Sequence, residues 1–190
     1  TRLPSVILSQ PMTEGSRVDT LRKASGNLVA NEIAKDFYNP SSRVRDIALL
    51  SLTRQQGKLT PELEQDLIKL MDIPELGMQA MAARTLGRLR IEAGVPSLMA
   101  KIYSDDLTLA QACVFALGLI GKAEAAPELA KILGDDKARS LWPLAAEALS
   151  KVGDYRYTKL IFHAYEVESY YVLRMQCLIA AVRSLALDKP

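Results

Sequence analysis

One stretch, Met78 to Gly87 (MQAMAARTLG), recurs in kind down the whole chain, and that recurrence constrains the fold more than any other feature. With Leu86 as an anchor, Ala82 and Ala83 lie four and three residues before it, and Ala80 and Met78 six and eight before it. The same spacing returns in VRDIALLSL with anchor Leu52, LAQACVFALG with Leu117, LWPLAAEAL with Leu149 and LRMQCLIAA with Ala181. These anchors are 34, 31, 32 and 32 residues apart, and a period in the low thirties marks an array of helical repeats. The position four before each anchor is small (Ala48, Ala82, Cys113, Ala145, Cys177), so neighbouring helices can approach closely. Larger apolar residues flank it and complete a stripe of helical spacing. One such unit cannot bury its own apolar face, but a stack of them makes a continuous core.

The units resemble HEAT repeats, in particular the short bacterial type whose second helix reads V-R-x-x-A-x-x-A-L-G. Val44-Arg45 and Leu173-Arg174 match the V-R element, while Gln79, Ala110 and Trp142 stand where its Arg would be. Gly87 and Gly118 match the final Gly; Thr53, Ser150 and Val182 depart from it. The resemblance covers residues 41 to 186 and implies an all-α fold, a right-handed α-solenoid of about five two-helix repeats. It says little of activity, because the family spans scaffolds, adaptors, bilin lyases and DNA-repair glycosylases.

Composition narrows the class. Of 190 residues 49% are apolar, enough for a substantial core and against disorder. A net charge of +2 gives no overall field that would draw a nucleic acid. No apolar run is long enough to span a membrane. The chain starts at Thr1 rather than Met, which reads as a fragment or a processed product and leaves the loss of a signal peptide open. Cys113 and Cys177 share a register position two repeats apart. Stacked helices sit about 10 Å from one another, too far for a disulfide, so both read as small core residues. Without a disulfide the chain leans toward a cytoplasmic setting.

Residues 1–12 read as an extended lead-in and 13–190 as a single repeat domain. A stripe from Val18 through Leu21, Leu28, Ile33 and Phe37 predicts a helix that Gly26 could split, ended by Asn39-Pro40. Ser41 or Ser42 starts the next helix, and Thr60-Pro61-Glu62 is a strong N-terminal signal. Pro143 fits only a first turn, so its helix is expected to begin near Leu141 or Trp142. Nothing in the pattern predicts strands.

Catalytic machinery is not legible. His163 is the one histidine, the acid pairs Asp105-Asp106 and Asp135-Asp136 are explained as helix caps, and there is no nucleophile elbow or phosphate loop. Gly118-Leu119-Ile120-Gly121 reads as a helix stop. The chain is therefore expected to be no enzyme, with no catalytic residue, cofactor or metal site.

Three surface features could bind. Residues two past each anchor form a row, Arg54, Arg88, Leu119, Lys151 and Arg183, with Arg84 and Glu147 beside it. Helix C-termini favour cations in any case, so offsetting the helix dipole also accounts for the row. Tyr155, Tyr157, Phe162, Tyr165, Tyr170 and Tyr171 gather in the last repeat, either as interface anchors or as a cap on the core. The helix LTLAQACVFALGLIG is apolar nearly all round, which would leave Phe115 and Leu119 exposed unless curvature of the solenoid or another chain covers them. The expected function is a scaffold or adaptor. It would hold an acidic or amphipathic segment of another protein on the second-helix face through these residues, with Tyr165, Tyr170 and Tyr171 as a further contact. Basic residues without stacking aromatics disfavour nucleic acid. The alternatives are a bilin-lyase-like or DNA-binding protein of the family, or a structural section of a larger protein.

Overall fold

A computed structural model describes residues 11–24, 30–54, 59–168 and 171–186. The lead-in through residue 10, Gly26 and Tyr170 lie outside them. The described residues are helical throughout, with no strand among them, and form an α-solenoid of two-helix repeats. No described helix is long and apolar enough to cross a membrane. All five anchors and all five small residues four before them are buried. The chain divides into two compact units at Thr85/Leu86.

In the N-terminal unit, α1 (Glu14–Lys23) and α2 (Ala30–Ala34) both pack on α3 (Ser42–Leu52). Val18, Leu21, Ile33, Phe37, Leu49 and Leu52 are buried in this unit, and the Arg17 Nε donates to Asp36 at 2.7 Å at its edge. The expected helix over Val18–Phe37 is in its described parts these two shorter helices. Ser41 caps α3 by accepting from the Val44 N–H at 3.4 Å. The V-R arginine has a clear structural use. Arg45 donates to the Asn39 carbonyl at 2.8 Å and to the Glu75 carboxylate at 2.6 Å, tying the turn before α3 to the turn before the second helix of the following repeat. Gln79, its counterpart there, donates to the Ile73 carbonyl instead. Thr60 and Pro61 start α4 (Pro61–Lys69) as expected, the Thr60 hydroxyl accepting from Leu63 N–H. Next comes α5 (Leu76–Arg88), whose last residues belong to the C-terminal unit.

The C-terminal unit alternates short first helices, α6 (Val95–Lys101), α8 (Ala126–Leu133) and α10 (Thr158–Val167), with longer second helices, α7 (Leu107–Ile120), α9 (Trp142–Val152) and α11 (Tyr171–Ala186). Each first helix is entered through one 3-10 turn, at Glu92–Gly94, Ala123–Ala125 and Tyr155–Tyr157. The second helices pack in sequence, α7 on α9 and α9 on α11. Asp106 caps α7, accepting from the Leu109 N–H at 2.7 Å, and Asp135 accepts from the Lys137 N–H at 2.9 Å, so both acid pairs serve helix and turn starts. Pro143 sits in the first turn of α9, which begins at Trp142.

The segment 118–121 ends its helix as expected: α7 runs through Gly118 to Ile120, and Gly121, in the left-handed conformation at φ 73°, stops it. Gly118 is small for packing. A Cβ there would lie 2.8 Å from both Cα and Cβ of Ala148, and one at Gly87 would lie 2.5 Å from the Ala116 Cα. At Gly87 and Gly118 the residue just past the anchor is thus where one second helix rests on the backbone of the next.

Candidate partner-binding groove

The ends of the second helices position the groove. Lys151, two past its anchor, lies exposed in the last turn of α9. Glu147, one turn earlier on the same helix, holds its ammonium at 2.7 Å. The same ammonium stands 5.9 Å from the centre of the Phe115 ring on α7, a cation–π contact between adjacent repeats. Phe115 and Leu119 are half-buried, so the apolar α7 keeps part of this side open while Val114 and Leu117 are fully enclosed. Lys151, Leu119, Gly118, Ile120, Gly121 and Arg90 together line an open groove of about 380 Å³.

Arg90 was absent from the sequence-predicted set. It follows α5 in the turn that ends that helix: its N–H bonds the Gly87 carbonyl at 3.0 Å, and the Ile91 N–H bonds the Leu86 carbonyl at 3.0 Å. These two bonds make a Schellman motif, which places Arg90 at the position that favours glycine. Its φ is 53°, the one positive value at a non-glycine among the described residues. Four past the next two anchors stand Gly121 (φ 73°) and Gly153 (φ 79°). A comparison of the repeats at that position would have singled Arg90 out; a reading centred on the anchors and the row two past them did not.

The remaining predicted residues are distributed as follows. Arg88 is exposed at the end of α5, and Arg84 is half-buried on the same helix in the N-terminal unit. Arg183 lines a second, smaller groove of about 230 Å³ with Pro143, Leu144, Glu147, Gln176 and Ile179. Arg54, in the N-terminal unit, donates to the Arg22 carbonyl at 3.0 Å. Tyr165 is half-buried under the Arg174 guanidinium, 4.7 Å from its ring centre, whereas Tyr171 is 73% exposed. A cap on the core does not account for Tyr171.

The other chemistry-bearing groups lie apart from this groove. His163 is exposed on α10. Cys113 and Cys177 are free thiols, and burial pushes them up to about 12 and about 11. No group of three or more His, Cys, Asp or Glu side chains among the described residues could hold a metal ion.

No family model matches the chain, and no curated protein matches it. Solved structures do. The structure of the complex of CpcE and CpcF of phycocyanin lyase from Nostoc sp. PCC7120 is similar at a TM-score of 0.70 and 19% identity, over 83% of this chain. The chain spans 64% of the length of that one. A designed armadillo repeat protein in complex with the peptide (KR)4 is similar at 0.61 and 15% identity, over 97% of this chain and 99% of that one. An engineered protein is similar at 0.60 and 13% identity, over 98% and 100%. These likenesses show the fold alone, a helical repeat solenoid similar to those of the designed armadillo repeat proteins.

Proposed function

We propose that this chain is a non-catalytic protein-interaction module, a scaffold or adaptor that grips an acidic segment of a partner protein along the ends of its second helices. The observation that carries the reading is the groove that the cationic Arg90 and Lys151 line together with Leu119 and Ile120. The lining is more polar than apolar, and its two cations select for acidic groups and speed encounter. Arg88 and Arg183 add to the steering; Arg54, in the N-terminal unit, donates to the Arg22 carbonyl at 3.0 Å. The designed armadillo protein is in complex with a basic peptide, whereas the cations of the present groove would take an acidic one.

Fluorescence anisotropy with labelled octapeptides tests the reading. A peptide of alternating glutamate and leucine should bind, and one of alternating lysine and leucine should not. Lys151→Glu should weaken the acidic peptide at least about tenfold. Equal binding of both peptides would remove the charge argument, and binding of neither would remove the acidic-segment reading.

The similarity to the CpcE and CpcF complex favours a second reading, in which the chain is one member of a two-protein assembly that handles a bilin. A bilin mixed with the chain would then show a shift in visible absorbance, and its absence would dispose of this reading.

A further inference from the structure

Gly121 and Gly153 follow from helix termination alone: the left-handed position after a helix favours the residue with no Cβ. Arg90 occupies the same position and pays a steric penalty that glycine would not. The two backbone hydrogen bonds of the helix end offset that strain, yet a glycine would make them without it, so an arginine here calls for a use of its side chain. Among the described residues Arg90 makes no ion pair or side-chain hydrogen bond. Glu92, the acid nearest in sequence, is instead held by Lys122 at 2.7 Å. The guanidinium is exposed on the groove, with Lys151 on the same lining and Leu119 and Ile120 beside it.

We infer that Arg90 is the residue that determines specificity in this groove, held in the left-handed conformation so that its guanidinium takes a carboxylate side chain of the bound acidic segment in a bidentate pair. This deepens the proposed function and rests on it. The planar fork of a guanidinium matches the two oxygens of a carboxylate and gives geometric selection that an ammonium lacks. Lys151, already held by Glu147, contributes charge without that geometry. The left-handed turn fixes where the Arg90 side chain leaves the backbone, which limits the freedom lost on binding.

Two readouts move in opposite directions if this is so. Arg90→Gly relieves the backbone, so the melting temperature should rise by about 2–4 °C. The same variant should bind the glutamate–leucine octapeptide about tenfold more weakly than the unmodified chain. Arg90→Lys keeps the charge and the strain and should recover only part of the affinity. A rise in melting temperature with unchanged affinity would overturn the inference and leave the proposed function standing. A fall in melting temperature on Arg90→Gly would overturn it as well, by giving the side chain a structural role. Inorganic phosphate displacing the peptide at equal concentration would assign the groove to a free anion instead. No peptide binding by the unmodified chain would remove both readings together.

Discussion

Helices α9 and α11 carry the same register in different surroundings. Seven before, three before and one after its anchor, α9 has Trp142, Ala146 and Ser150, all buried, with Ser150 4% exposed. The corresponding row of α11 is Arg174, Leu178 and Val182; Arg174 is exposed, Leu178 half-buried and Val182 56% exposed. In α7 the row is Ala110, Val114 and Gly118, again buried, with Gly118 set against the backbone of Ala148. The difference teaches what the repeat pattern encodes. The anchor and the small residue four before it are buried in every copy, α11 included, where α9 and α10 are the helices packed on it. The row one past the anchor is buried only where another second helix lies on it, and there the residue is glycine or serine. Val182 is β-branched and could not be accommodated at the Gly118–Ala148 distance.

The comparison can be broken most forcefully at an anchor. Leu117→Ala removes a fully buried side chain from between packed helices and should cost about 2–5 kcal/mol in urea denaturation; a loss under about 1 kcal/mol would mean the core is not built on the anchors. At the next position, Gly118→Ala should cost about 1–3 kcal/mol, because the new Cβ meets backbone rather than a movable side chain. The thiols give a smaller and kinetic difference. Both are buried and protonated, so native labelling at pH 8 should be slow. Cys177 on the one-sided α11 should nevertheless label faster than Cys113, by local opening of the last helix. Burial raises both folded thiols above the ordinary 9.0, so their contribution to stability is complete below pH 9 and is lost as the pH rises toward about 11 and 12. Val182→Ser should change stability by less than about 0.5 kcal/mol, the smallest effect, since more than half of that side chain is exposed.

Much of the fold could be read from the chain because the repeat is written in local terms. Anchors, small residues, the Thr60-Pro61 start and the Asp106 cap are properties of a helix and its first turn, and all stand where the spacing placed them. What escaped depends on a neighbour. The packing use of Gly118 within α7 shows only once Ala148 is seen against it. Arg90 is an ordinary exposed arginine until its backbone is set beside Gly121 and Gly153. Of the predicted binding residues, Phe115, Leu119 and Lys151 come together, because Lys151 reaches across from α9 to the ring on α7. Spacing along one helix cannot specify that contact.

The central claim, that the ends of the second helices bind an acidic segment, is tested most directly by titrating the isotope-labelled chain with the glutamate–leucine octapeptide and following its amide resonances by NMR. The account predicts shifts concentrated at Arg90, Leu119, Ile120, Gly121 and Lys151. Shifts confined to the exposed face of α11, around Tyr171 and Val182, with those five unmoved, would contradict it.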